Sequence, residues 1–165
     1  MEVLSVRENV FISESSSETR ELGIVLGRNL VAGDVLALCG NLGTGKTVLT
    51  KGIAEGLGIK DTDHIVVSPS FTLINEYYGT LPLYHFDLYR LNGSSDLMEL
   101  GIDEYIFGKG VTVIEWAERC IDILPPNTMK ILLNVTGENQ RKFTIEKASE
   151  QIIDKLKLNR KEQVV

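Results

Sequence analysis

The chain has 165 residues, 43% of them hydrophobic, with a formal net charge of −6 and a pI near 5.0. That is enough apolar content for one domain of ordinary size, and it lacks the basic excess of a surface built to grip RNA or DNA directly. Two scattered cysteines (Cys39, Cys120) and two histidines (His64, His85) argue against a disulfide framework or a zinc site of His/Cys spacing; charges interrupt the first apolar stretch and no run is long enough to cross a bilayer, so a cytoplasmic protein is expected.

Residues 10–13 form a short predicted strand. Ser15, with Glu18 three residues on, has capping-box spacing, and Leu22, Val25, Leu26 and Leu30 recur at helical spacing, which predicts a helix over 16–30. After the turn Ala32-Gly33-Asp34, the apolar run 35–39 reads as a strand buried on both faces, and Cys39 in it as a buried small side chain. A glycine-rich loop follows. From Lys46 the pattern is helical again, with Leu49, Ile53 and Leu57 on one face and Gly56 and Gly58 ending it.

Residues 61–63 read as a polar loop, and Ser68-Pro69-Ser70 as another. Strands are predicted over 71–78 and 83–89, joined as an antiparallel hairpin through Gly79-Thr80-Leu81-Pro82. Ser94-Ser95-Asp96 caps a short helix over 97–100, one more helical turn covers 103–107, and 111–116 is a second apolar strand. Beyond Pro125-Pro126, residues 130–135 and 142–145 form a hairpin around Gly137-Glu138-Asn139, and an amphipathic helix covers 149–156. No linker divides the chain, so residues 1–157 are expected to form one domain and 158–165 a frayed tail. Strands alternating with helices, with hairpins added, give a three-layer α/β domain with a mixed, partly parallel sheet.

Gly40-Asn41-Leu42-Gly43-Thr44-Gly45-Lys46-Thr47 matches G-x-x-x-x-G-K-[ST], and it stands between a buried strand and a helix, as a phosphate-binding P-loop does. Glycines let the backbone fold around an anion with several N–H groups pointing inward, and the helix N-terminus adds partial positive charge at the same point. Lys46 has the reach for the β- and γ-phosphates, and the Thr47 hydroxyl can ligate magnesium. A P-loop NTPase also needs an acid near the metal, at the end of an apolar strand. Glu115 ends Val111-Thr112-Val113-Ile114; Asp87 lies in His85-Phe86-Asp87-Leu88-Tyr89-Arg90, where alternation puts His85, Asp87 and Tyr89 on one face. Magnesium would satisfy a buried Asp87, and so would a structural pairing with Arg90 or a lysine. Ser68, Ser70 and Thr72 sit where a γ-phosphate sensor, or a plain polar loop, would stand. Without an Asn-Lys-x-Asp segment to read guanine, ATP is the expected nucleotide.

Taken in order, these segments resemble the TsaE (YjeE) family. Ser68-Pro69-Ser70-Phe71-Thr72-Leu73-Ile74-Asn75-Glu76-Tyr77 is similar to its SPTFTLVNEY stretch, with Ser70 for the usual Thr. His85-Phe86-Asp87-Leu88-Tyr89-Arg90-Leu91 resembles HFDLYRL, Glu99-Leu100-Gly101-Ile102-Asp103-Glu104-Tyr105 resembles ELGLDEY, and Ile114-Glu115-Trp116-Ala117-Glu118-Arg119 resembles VEWPER, with Ala117 for the usual Pro. The likeness covers most of the chain and fades after Pro126. It implies a P-loop NTPase-like ATPase required for threonylcarbamoyladenosine formation in tRNA, docking on the TsaD–TsaB pair, with ATP and Mg2+ bound and turnover slow until the partners join. Carried over by position, the backbone from Asn41 through Gly45 with Lys46 and Thr47 holds phosphates and magnesium, and Asp87 and Glu115 serve the metal and the attacking water. Trp116 and Thr72 then lie near the nucleotide, and the segment Ser17-Glu18-Thr19 lines its adenine side. A small-molecule kinase, and a nucleotide-gated assembly module that needs no hydrolysis, are the alternatives.

Overall fold

The computed structural model describes residues 9–69 and 73–163. Among these residues seven strands form one mixed sheet: β1 (Asn9–Ser13), β2 (Val35–Cys39), β3 (Ile74–Tyr78), β4 (Pro82–Asp87), β5 (Val111–Glu115), β6 (Met129–Val135) and β7 (Arg141–Glu146), in the order β1-β7-β6-β2-β5-β4-β3. The centre is parallel, with β2 between β5 and β6 and β5 beside β4; the edges are antiparallel, with β3 on β4, β7 on β6 and β1 on β7. β2 and β5 are buried at every position, as their unbroken apolar runs predict for strands covered on both faces.

Alternation divides the core in two. Leu36, Leu38, Val111, Val113, Leu83 and Ile131 point to the face covered by α1 (Ser16–Asn29), α2 (Lys46–Gly56) and α6 (Glu150–Gln163). Val35, Ala37, Phe86 and Ile114 point to the other, where α4 (Ser94–Glu99) and α5 (Ile102–Ile106) contribute Leu97, Ile102 and Ile106. The three layers are those expected from the sequence. α1 starts as its capping signal predicts: Ser15 Oγ accepts from the Glu18 amide at 3.1 Å, while the Glu18 carboxylate accepts from the Glu14 amide at 2.6 Å.

Some boundaries differ. The expected loop at 61–63 is instead the edge of a short helix, α3 (Thr62–Ile65), which follows Asp61 in a left-handed conformation. Arg20 of α1 reaches its first turn, donating to Asp63 at 2.8 Å and to the buried Thr62 at 3.0 Å. β4 stops at Asp87 rather than Tyr89, because the Asp87 carboxylate accepts the Tyr89 amide at 2.9 Å and turns the chain. α4 has Gly93 at its N-cap with no side-chain cap, so Ser94 is already helical. The start of the strand expected from 71 lies outside the described residues. α6 runs on to Gln163, since nothing after Leu156 breaks a helix and most residues there favour one. No helix among the described residues is long and apolar enough to cross a membrane.

Candidate nucleotide site

The parallel strands β2, β5 and β4 end side by side, and ligands bind at such carboxyl ends in open α/β sheets. From β2 the chain turns through the glycine loop into α2. Gly43 and Gly45 have φ of 79° and 100°, where a Cβ would be strained, and a Cβ at Gly43 would meet no protein atom within 4 Å. Thr44 Oγ1 closes the loop on the Asn41 carbonyl at 2.9 Å. The result is a concave backbone surface at the N-terminus of an eleven-residue helix, suited to an anion.

Lys46 is nearly buried, 5% exposed, and folds back over this loop. Its Nζ donates to the carbonyls of Gly40 at 2.6 Å and Asn41 at 2.8 Å and lies 4.1 Å from the centre of the Trp116 ring. Burial pulls its pKa below the ordinary lysine value; the Glu115, Glu118 and Asp87 carboxylates oppose that pull. Trp116 takes a left-handed backbone, φ 59°, directly after β5, and its ring packs on Tyr89 with centroids 5.0 Å apart.

The two candidate acids are neighbours. Asp87 of β4 and Glu115 of β5 are register partners on parallel strands, 3% and 2% exposed, on the sheet face that carries α2. Glu115 accepts from Thr47 Oγ1 at 3.2 and 3.3 Å and from His85 Nε2 at 2.8 Å. Asp87 accepts from the Ser68 hydroxyl and from the Tyr89 amide. A threonine hydroxyl and two carboxylates are hard oxygen donors, the set magnesium prefers. Among the described residues no three His, Cys, Asp or Glu groups cluster as a self-sufficient metal cage; an ion that takes one or two carboxylates and completes its shell with phosphates and water fits such a site.

Around these groups opens a cleft of about 530 Å³, a size suited to a small-molecule ligand. Thr19, Leu42, Gly43, Thr44, Gly45, Lys46, Thr47, Asp87, Glu115 and Trp116 all line it, as does Ser68. Asn41 supplies a carbonyl to Lys46, while the residue borders a separate hollow with Glu118 and Lys130. Ser17 does not line the cleft; the exposed Ser16 and the buried Thr19, which share a helix face at i and i+3, line it instead. Thr72 and Ser70 lie outside the described residues.

The cleft also holds residues the motifs do not mark. Asn139 and Arg141 come from the β6–β7 hairpin, and Arg141 Nη2 donates to the Gly43 carbonyl at 3.3 Å. No local pattern announces them; only the long-range pairing of β6 with β2 and β7 brings that hairpin beside the glycine loop.

Sheet order, glycine loop and paired acids together define a P-loop NTPase-like α/β protein. Comparison narrows the class. The family model described as "Threonylcarbamoyl adenosine biosynthesis protein TsaE" matches residues 13–143. The tRNA threonylcarbamoyladenosine biosynthesis protein TsaE of Bacillus subtilis is 45% identical over 128 residues, spanning 77% of this chain and 78% of its own length. Its counterpart from Treponema pallidum is 43% identical over 134 residues, spanning 81% of this chain and 97% of its own. The crystal structure of YdiB from Bacillus subtilis superposes with a TM-score of 0.78 at 37% identity, covering 93% of this chain and 97% of that one. The chain belongs to the TsaE family of tRNA threonylcarbamoyladenosine biosynthesis proteins.

Proposed function

We propose that this chain is a magnesium-dependent ATPase of the cytoplasm whose turnover serves the TsaD–TsaB transferase that forms threonylcarbamoyladenosine in tRNA. The observation that carries the reading is the pairing of Asp87 with Glu115 at the ends of adjacent parallel strands, facing Thr47 and the glycine loop across one cleft. The backbone amides of the loop and the N-terminus of α2 hold the polyphosphate. Lys46 exchanges the carbonyls of Gly40 and Asn41 for phosphate oxygens, an exchange its buried ammonium favours because an anion compensates charge better than a carbonyl. Thr47, Asp87 and Glu115 would hold magnesium, which supplies charge neutralisation on the phosphates. Asp87 and Glu115 also offer the carboxylate that accepts a proton from the attacking water as the bond from the γ-phosphorus to ADP breaks. Trp116, Thr19 and Ser16 border the remaining cleft. The net charge of −6 suits an accessory that acts through protein partners rather than by gripping tRNA itself.

The test is complementation. In a strain lacking its own copy, the wild-type gene is expected to restore threonylcarbamoyladenosine in tRNA, measured by mass spectrometry of nucleosides, and Lys46→Ala is expected to restore none. Full restoration by Lys46→Ala would contradict the reading. A Glu115→Gln variant that binds ATP normally, hydrolyses none and still restores the modification would favour a binding-only module.

A further inference from the structure

Glu115 is held unevenly. Its Oε1 is the acceptor for His85 Nε2 at 2.8 Å, for Thr47 Oγ1 at 3.2 Å and for Thr50 Oγ1 at 3.5 Å. The Thr50 hydroxyl has one hydrogen and a nearer acceptor, the Lys46 carbonyl at 2.8 Å. The Thr47 hydroxyl also has one hydrogen, spread between Oε1 and Oε2 at 3.2 and 3.3 Å. Among the described residues, His85 is therefore the one donor that gives Glu115 a short, undivided hydrogen bond.

The sheet sets this up. Asp87 pairs with Glu115 and His85 with Val113, so His85 sits diagonally from Glu115 on the same face of adjacent strands, within reach of an imidazole. His85 is fully buried, 0% exposed, and its Nδ1 has no hydrogen-bond partner among the described residues. A proton on Nε2 is what makes the 2.8 Å contact with the carboxylate a hydrogen bond. With the proton on Nε2, the ring donates to the carboxylate and leaves a bare acceptor in the core. With the proton on Nδ1, a buried N–H would be orphaned and the Nε2 lone pair would face a carboxylate lone pair, which is worse on both counts.

We infer that His85 is a positioning residue of the hydrolytic site. As the Nε2–H tautomer it pins Oε1 of Glu115, so that Oε2 and the Thr47 hydroxyl are the oxygens presented to the cleft. A carboxylate without this anchor rotates about its last torsion and offers either oxygen, or both, to a metal. The inference rests on the magnesium-ATPase reading for its consequence, although the geometry stands without it.

Four proteins test it: the wild type, His85→Gln, His85→Asn and His85→Leu. A glutamine amide reaches the place of Nε2, whereas an asparagine amide reaches only that of Nδ1. The readouts are Mn2+ affinity with a non-hydrolysable ATP analogue by electron paramagnetic resonance, steady-state ATP turnover, and thermal melting. His85→Leu and His85→Asn are expected to lose about 10- to 100-fold in Mn2+ affinity and kcat, with the KM for ATP near the wild-type value, and His85→Gln is expected to recover most of the loss. Wild-type metal affinity and kcat in His85→Leu, or equal impairment of folded Gln and Asn variants, overturns the inference. Should the variants not fold, 15N NMR of the wild type decides, because the chain has only two histidines to assign: a buried ring protonated at Nε2 supports the inference, and one protonated at Nδ1 alone overturns it. A wild type that binds Mn2+ with the analogue but turns over no ATP, with the metal affinity lost in His85→Leu and kept in His85→Gln, removes the ATPase reading and leaves the role of His85 standing. A wild type that binds no Mn2+ with nucleotide overturns both.

Discussion

Lys46 and Trp116 show how single side chains are held under constraint at the candidate site. The ammonium is desolvated, bonded to two carbonyls of its own loop and placed over an indole, so its charge is compensated only by dipoles and by carboxylates that are themselves partly committed. Trp116 accepts a left-handed backbone, which costs a non-glycine residue roughly 1–2 kcal/mol, and the contacts of its ring with Lys46 and Tyr89 hold it there. The cysteines behave oppositely. Burial pushes both the Cys39 and the Cys120 thiols up to about 12, so the thiol form persists at every ordinary pH. At pH 8 the thiolate fraction is then roughly one in ten thousand, and only the thiolate is nucleophilic. The native protein is expected to leave both cysteines unmodified by a thiol reagent at pH 8 and to react at both once unfolded in urea. Rapid reaction of either in the folded state would contradict their burial. The sequence showed the reason for Cys39, inside an apolar strand, but not for Cys120, whose burial follows from its packing with Ala117 against the far face of the sheet.

At the scale of elements, α1 and α2 pack backbone to backbone. A Cβ at Gly27 would lie 2.2 Å from the Ile53 carbonyl oxygen, and one at Gly52 2.2 Å from that of Arg20; Gly23 and Gly56 are as tight, at 2.5 and 2.3 Å. Helix propensity alone predicts that Gly27→Ala stabilises by up to about 1 kcal/mol. Packing predicts the reverse sign, because the helices must separate: a net loss of about 1–3 kcal/mol in urea unfolding. A more stable Gly27→Ala variant would show that the two helices are not in contact there. The apolar spacing of each helix was legible in the sequence; the glycine seam between them was not, because it depends on which helices meet. The same holds for Arg141. It is an ordinary strand residue until the β6–β7 hairpin is placed beside the glycine loop, where its guanidinium reaches the Gly43 carbonyl. Arg141→Ala is expected to weaken nucleotide binding about 10-fold, the scale of a lost charged hydrogen bond, with turnover at saturating ATP little changed. Isothermal titration with ADP checks the first part and steady-state kinetics the second.

Across the whole molecule, the site exists because a parallel centre aligns the ends of three strands that are distant in sequence. Glu115 and Asp87 become neighbours only through the pairing of β4 with β5, and Thr47 meets Glu115 only because α2 packs over the same face. The sequence showed that Glu115 ends an apolar strand, that Asp87 lies within one, and that a loop suited to anions precedes a helix; it did not show that both acids stand at strand ends, that they are adjacent, or that a buried histidine hydrogen-bonds one of them. Strand alternation did place His85 and Asp87 on one face, and the structure adds what that face meets. One side of the cleft is bordered by the exposed Leu42, 79% accessible, and the half-exposed Tyr89. A P-loop ATPase whose site is completed by a partner's residue turns over slowly by itself, and slow turnover is the expectation for the isolated chain. The most direct test is ATP hydrolysis at fixed magnesium, by the protein alone and with TsaD and TsaB. The account predicts slow turnover alone, a clear rise with the partners, and loss of both in Lys46→Ala. Tight ATP binding with no hydrolysis in either mixture, or a rise that survives Lys46→Ala, would contradict it.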